Sequence, residues 1–366
     1  MDQTWIWKSS NWPNFTIDNE RVMPHFINAI RAVSPLVELA RRLTDAQRAN
    51  FESQVLLDET LSTSFIEKEV LDRDSVRSSI ARHLGLPNTK VGDKRYETFT
   101  QVYFESIRTA QQSLTSETLK AWHEMLFIEK PVLKEITIGD YRNEEMSVVS
   151  GHFGRKEVVH FTAPCSDRNC VQQELHQFLE WLNEDHNASY TRAAIAKFWF
   201  VTIHPFDDGN GRLSRIIAER CLAEADKTDM RLYSISTEIE KRKSEYYELL
   251  EAHQKGNGDL TDWVVWFLDR VQDAVKKSMA RLDKVLLATQ FWDRHRETPF
   301  NKRQRKLLIR LLETNDFEKG IARRKYKNLV STSDATAARD LLSLVEMGVL
   351  KSEGKGRSVK YFIEPL

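Results

Sequence analysis

Between Thr191 and Thr202 the sequence offers almost no polar face: Ala193, Ala194, Ile195, Phe198, Trp199 and Phe200 fall in every direction around a helix. A helix that is apolar all round is stable only when other elements enclose it. The segment therefore predicts a central buried helix and a mainly α body built around it. Partners for it are legible on both sides. Leu119, Trp122 and Leu126 form one face of a helix from Thr115 to about Phe127, and Val171, Leu175, Phe178, Leu179 and Leu182 recur at helical spacing. Further helices are predicted over Leu213–Leu222, Ser244–Gln254 and Asp259–Arg281, and Thr44 with Asp45 and Gln47 caps one that runs through Leu56, Leu57, Phe65 and Ile66. Two short β-branched runs, Val148-Val149 and Val158-Val159, flank Gly151 and Gly154 and read as a hairpin. The aromatic opening, Trp5-Ile6-Trp7 and Trp12-Pro13-Asn14-Phe15, is expected to pin the N-terminal segment to the core.

The chain has 366 residues and a net charge of zero, but the charge is unevenly spread. From Asn301 to Ile363 there are 15 Lys and Arg against 7 Asp and Glu. Within that basic stretch, Arg303–Leu312 and Ala322–Val330 read as helices, and Ser333 or Asp334 caps a third that ends at Met347-Gly348. Two strands, Val349–Ser352 and Ser358–Ile363, follow around Gly354-Lys355-Gly356-Arg357. Helix-turn-helix followed by a basic hairpin is the pattern of a winged-helix module. Thr336 and Arg339 would then reach base edges, and Lys355 and Arg357 phosphates, should the partner be DNA. No apolar run is long enough for a membrane span, and the first residues lack a secretory pattern. Cys165, Cys170 and Cys221 do not make a disulfide framework, so a cytoplasmic location and no membrane partner are expected.

The chemistry concentrates in Ile203-His204-Pro205-Phe206-Asp207-Asp208-Gly209-Asn210-Gly211-Arg212-Leu213-Ser214-Arg215. Pro205 disfavours helical geometry at His204. Two glycines flank Asn210 and let backbone approach a ligand closely. A helix starts here, and the unpaired amides of its first turn suit a phosphate. Arg212 and Arg215 share one face of it and can clamp further phosphate oxygens. Asp208 offers a hard oxygen suited to Mg²⁺ carried with phosphates. His204 is a candidate general base.

Residues 204–215 match His-Pro-Phe-x-Asp-Gly-Asn-Gly-Arg-x-x-Arg at every position, and in this the chain resembles the Fic-domain proteins. The resemblance extends over about Leu114 to Val271. It implies a Fic-type helical bundle with a β-hairpin flap, and a protein adenylyltransferase that moves AMP from ATP to a Ser, Thr or Tyr hydroxyl. By that likeness His204 takes the hydroxyl proton and Asp208 holds Mg²⁺. Gly209, Asn210, Gly211, Arg212 and Arg215 bind the ATP phosphates. The hairpin, with Val158, Val159 and His160, pairs with an extended segment of the protein target, which the chain itself would also satisfy. Upstream, Thr63-Ser64-Phe65-Ile66-Glu67-Lys68 resembles the family's inhibitory helix, in which Glu67 would take Arg215 from the γ-phosphate. Lys68 stands where Gly or Asn is usual. Tyr246 or Tyr247 would line an adenine pocket.

These readings give three parts: an N-terminal helical domain over 1–88 carrying the inhibitory helix, a catalytic core over 89–285, and the winged-helix module over 300–366. Two other functions use the same residues. One is removal of AMP at the same site, with Glu67 orienting water. The other is a nucleotide-sensing regulator that binds DNA through 301–363. A homodimer formed through the N-terminal segment or the inhibitory helix is compatible with each.

Overall fold

The computed structural model describes residues 5–86, 94–128, 136–150, 158–184, 189–313 and 320–364. The chain divides into two compact units, Met1–Ser278 and Met279–Leu366.

The first unit opens with α1 (Asn19–Arg41), α2 (Asp45–Ile66), α3 (Arg73–His83), α4 (Lys94–Arg108) and α5 (Ser116–Leu126). Strands β1 (Ser147–Ser150) and β2 (Val158–Thr162) follow, then α6 (Arg168–Asn183), α7 (Tyr190–Ile203), α8 (Asn210–Asp226), α9 (Ile235–Lys241), α10 (Lys243–Gln254) and the start of α11 (Thr261–Arg294). The apolar helix α7 is buried along its length, with Ala193, Ala194, Ala196, Phe198, Phe200 and Ile203 fully enclosed. Trp263 of α11 donates its indole N–H to the Ala194 carbonyl at 2.8 Å. Trp199 stacks edge-on with Trp12, Phe15 and Phe178, so the N-terminal aromatics do bind this terminus to the central helix. Trp5 meets Phe161, and Trp7 donates to the Thr162 carbonyl at 2.7 Å.

α7 stops at His204, which adopts the left-handed conformation (φ 51°, ψ 59°) just before Pro205. α8 begins at Asn210, three residues earlier than the apolar periodicity suggests. The motif loop is thus held between the ends of two buried helices.

The hairpin is antiparallel, with Ser147 opposite Thr162 and Ser150 opposite Val158. Its register shifts between Val148 and Val149, leaving His160 as the extra residue of a bulge. The expected turn at Gly151 and Gly154 lies outside the described residues.

In the second unit α12 (Lys302–Glu313), β3 (Ile321–Ala322), α13 (Arg323–Val330), α14 (Asp334–Glu346), β4 (Leu350–Glu353) and β5 (Lys360–Ile363) follow in order. The strands form an antiparallel sheet in the order β3-β5-β4. Leu307, Leu308, Tyr326, Leu341 and Leu344 fill its core. Buried Asp340 is satisfied by Arg303 at 2.7 Å and by the Tyr326 hydroxyl at 2.9 Å.

Several elements depart from expectation. α1 was not expected, because Pro24 and Pro35 lie inside it. Its buried residues Val22, Ala29, Val33, Leu36 and Ala40 nonetheless keep helical spacing. α9 and the two-residue β3 are too short to leave a periodic signal, and α11 continues to Arg294 rather than stopping at Arg281. Cys165 and Cys170 are joined by a disulfide and Cys221 is buried and free, a single pairing that was not expected from the sequence. Among the described residues no helix is long and apolar enough to cross a membrane.

Candidate functional site

The motif loop is braced from three sides. Arg142 is fully buried although no apolar pattern marks it. Its Nε donates to the His204 carbonyl at 2.8 Å, its Nη1 to the carbonyls of Glu144 and Cys165 at 2.7 Å, and its backbone N–H to the Pro205 carbonyl at 3.0 Å. Asp207 accepts from the Thr137 amide at 2.8 Å. His123 of α5 stacks flat on Phe206, with ring centroids 4.1 Å apart, and reaches the Asp208 carbonyl. Sequence reading missed Arg142 and His123 as loop contacts, since both lie more than sixty residues from the loop. The one available sign was that His123 interrupts the apolar face of α5.

His204 is oriented as a proton acceptor. Its Nδ1 lies 3.1 Å from the Val201 carbonyl. A carbonyl only accepts, so Nδ1 carries the proton and Nε2 keeps its lone pair. Burial lowers its pKa from 6.5 to about 4, so the ring is neutral near pH 7.

The start of α8 receives a carboxylate. Glu67 follows the last residue of α2, and its Oε1 accepts from Arg215 Nη2 at 2.6 Å. Arg215 Nε donates to Thr63 Oγ1 at 2.5 Å and Nη2 to the Thr63 carbonyl at 3.2 Å. Only 1% of the Arg215 side chain is exposed, against 33% for Glu67. Gly211 lies directly beneath: a Cβ added there would come within 2.3 Å of Glu67 Oε1. Burial alone would raise the Glu67 pKa, but Arg215 first and then Arg212 outweigh it and hold the carboxyl below its usual range. Thr63, Glu67 and Arg215, remote in sequence, are thereby brought together.

α2 is fixed in this position from further along the same helix. Buried Glu59 accepts from the Ser234 hydroxyl at 2.7 Å and the Ser236 amide at 3.1 Å, where α9 begins. At the other end Lys243 donates to the carbonyls of Ile66 and Phe65. The chain then turns through Lys68 at φ 64°, with the Lys68 amide bonded to Phe65 O and the Glu69 amide to Ser64 O. These two bonds define a Schellman turn, whose left-handed position prefers Gly or Asn. The turn also delivers Glu69, whose Oε2 lies 3.4 Å from Arg212 Nη1. Arg212 is 9% exposed, lies over the Phe127 ring at 4.6 Å, and its Nε has no hydrogen-bond partner among the described residues.

Asp208 is exposed, and its Oδ1 accepts from the Gly209 amide at 2.7 Å. Among the described residues no three His, Cys, Asp or Glu gather as a metal site. One accessible carboxylate near Arg212 suits Mg²⁺ that keeps waters and takes its other oxygens from phosphates. Gly209 sits at φ 80° with Phe127 where a Cβ would go, so both conformation and space require glycine.

Other expected residues are placed differently. The Asn210 side chain is engaged within the loop: Oδ1 accepts from the Phe206 amide at 2.9 Å and Nδ2 donates to the Phe206 carbonyl at 2.8 Å, which ties the loop together. Tyr246 is 2% exposed, packs against Trp263 and Trp266, and takes a 2.6 Å hydrogen bond from buried Lys197, so it presents no face for an adenine. Burial, with Arg215 nearby, pushes the Lys197 pKa well down. Tyr247 is 41% exposed beside it. On the hairpin Val158 and Val159 are exposed, while His160 bonds Glu251 at 2.8 Å and Ser150 at 2.6 Å. In the second unit Arg339 and Lys355 are exposed, and Thr336 is half-buried with its amide on the Ser333 cap. The Arg357 side chain lies outside the described residues.

Comparison with known proteins places the motif within a family match. Residues 113–222 match the model of the Fic/DOC family, and residues 5–86 that of a domain of unknown function (DUF4172). A curated relative, the protein adenylyltransferase Fic of Drosophila virilis, is 34% identical over 86 residues. That stretch is 23% of this chain and only 16% of the fly protein. Among solved structures, a Fic family protein from Desulfovibrio desulfuricans is 19% identical and aligns with a TM-score of 0.55 over 96% of this chain and 98% of its own. A Fic domain containing signaling protein from Bacteroides thetaiotaomicron is 14% identical, with a TM-score of 0.53 over 70% of this chain and 96% of its own. At these identities the structural likeness is one of fold.

Proposed function

We propose that this chain, whose residues 113–222 match the Fic/DOC family, transfers AMP from ATP to a hydroxyl of a protein target and holds itself in check through Glu67. The observation that carries the reading is the pair of buried arginines at the start of α8, both met by carboxylates where phosphates would bind. The target hydroxyl oxygen attacks the α-phosphorus, the bond from that phosphorus to the bridging oxygen breaks, and pyrophosphate leaves. His204 Nε2 accepts the hydroxyl proton. Arg212 and Arg215 hold the leaving phosphates, and the first-turn amides of α8 add partial positive charge. Mg²⁺ bound with the nucleotide would neutralise phosphate charge, and Asp208 is the residue that would hold it. The target is a protein with a hydroxyl in an extended segment, which would pair with the hairpin strands beside four exposed valines, Val148, Val149, Val158 and Val159. ATP labelled at the α-phosphate tests the reading: label becomes acid-stable on protein, and ATP labelled at the γ-phosphate leaves none. The reverse pattern, phosphate without nucleotide, refutes it.

A second activity is proposed for the basic C-terminal unit. Its helix, strand, helix, helix, strand, strand order suits a winged helix. Arg323, Arg324, Arg339, Lys355 and Lys360 lie exposed around α13, α14 and the hairpin. Duplex DNA is the partner that this charge favours. Binding should weaken steeply with salt and fall further with R339A or K355A. No measurable affinity at low salt would remove this reading.

A further inference from the structure

His123 makes two hydrogen bonds, and both go to backbone. Nδ1 accepts from the Gly139 amide at 3.0 Å, and Nε2 lies 3.1 Å from the Asp208 carbonyl. An amide only donates and a carbonyl only accepts, so the pattern fixes one neutral tautomer, with the proton on Nε2. The ring is fully buried and lies flat on Phe206, with an interplanar angle of 5°. It thus links the Gly139–Arg142 segment, whose Arg142 braces His204, to the peptide that joins Asp208 to Gly209.

The direction of that peptide matters. In a trans peptide the C=O and N–H point opposite ways. With the Asp208 carbonyl turned to His123, the Gly209 N–H must point away from α5. It does so, donating to Asp208 Oδ1 at 2.7 Å. The Asp208 carboxylate and the Gly209 N–H therefore share the side opposite His123. Gly209 is left-handed and has no side chain, so nothing of its own prevents the peptide from flipping.

We propose that His123 is a positioning residue that locks the Asp208–Gly209 peptide, so that the carboxylate and the amide both face the nucleotide phosphates. The inference rests on the adenylyltransferase reading of this site. It assigns His123 no proton transfer and no contact with substrate.

The test uses the full-length chain carrying E67G, in which both transfer and binding are measured. H123F keeps the flat stack on Phe206 and removes both hydrogen bonds. H123Q can still donate near the Nε2 position, and H123N can still accept near Nδ1. The affinity for Mg²⁺-ATP, the label incorporated from α-labelled ATP and the Tm are read for each. H123F should bind Mg²⁺-ATP at least tenfold more weakly, with the Mg²⁺ requirement rising alongside. H123Q should recover to within about threefold of the parent and H123N should not, whatever their order of Tm. The inference is overturned if H123F binds as the parent does, or if affinity follows Tm across the three variants. Should the E67G parent bind ATP but transfer nothing, the adenylyltransferase reading fails, and the affinities still decide the role of His123.

Discussion

The Cα of Gly211 lies so close under the carboxylate of Glu67 that a single added methyl group would overlap Oε1, at 2.3 Å. The same carboxylate is 2.6 Å from Arg215. Glu67 therefore occupies both the amide end of α8 and its guanidinium. In G211A the Glu67 carboxylate must shift off Gly211, which weakens its ion pair with Arg215 at a cost of up to about 1 kcal/mol. That cost should vanish when E67G is already present, because the overlapping group is gone. Denaturant unfolding of the two single variants and the double variant measures it as a coupling energy. Additive effects would mean that Glu67 does not lie over Gly211.

Glu69 places a second carboxylate on Arg212, the first of the two motif arginines. E69A should raise transfer above that of the unsubstituted chain, though less than E67G does, because its 3.4 Å contact is longer and its partner less enclosed. E67G/E69A should exceed E67G by about two- to fivefold in affinity for Mg²⁺-ATP, equivalent to about 0.4–1 kcal/mol. Titration with a fluorescent ATP analogue checks this. Equal affinity in the presence and absence of Glu69 would confine the effect to Glu67.

Lys68 sits at φ 64° in a turn that glycine fits better. K68G removes the left-handed penalty of a branched Cα, offset in part by the greater freedom of glycine in the unfolded chain, for a net gain of about 1 kcal/mol. The Tm should rise by about 2 °C, and basal transfer should not increase, since the turn that seats Glu67 is tighter. A fall in Tm would show that Lys68 makes a compensating contact.

His204 has its pKa lowered by burial from 6.5 to about 4. A general base works in its deprotonated form, so lowering the pKa keeps it active to lower pH. In E67G, kcat/KM for ATP should stay within about twofold between pH 7.5 and 5.5 and fall only toward pH 4. The sign holds in this variant, because the negative charge of Glu67 raises the His204 pKa and its removal lowers it further. A half-maximal rate near pH 6.5 would mean that the histidine is solvated during turnover.

The motif loop was legible because its residues are contiguous: His204, Asp208, Arg212 and Arg215 declare themselves at fixed spacing. Glu67 was legible through its own short pattern and Thr63 through the four-residue offset. What holds these groups in place was not. Arg142 and His123 act on backbone atoms far along the chain, and backbone contacts leave no spacing signal. Asn210 was assigned to phosphates although its amide closes the loop on Phe206, because a side chain that bonds its own loop looks the same in sequence as one that bonds a ligand. Tyr246 looked like a stacking platform until Lys197 and two tryptophans were seen to enclose it. Helix α1 was obscured by Pro24 and Pro35, which lie inside it on its exposed face and each remove one backbone donor.

The most direct test compares label incorporated from α-labelled ATP by the unsubstituted chain, E67G and E67G/H204A. The predicted result is at least a tenfold rise in E67G over the unsubstituted chain and a loss of at least a hundredfold on adding H204A, with Mg²⁺-ATP affinity unchanged between the last two. Equal labelling by all three would contradict both the inhibitory place of Glu67 and the catalytic place of His204.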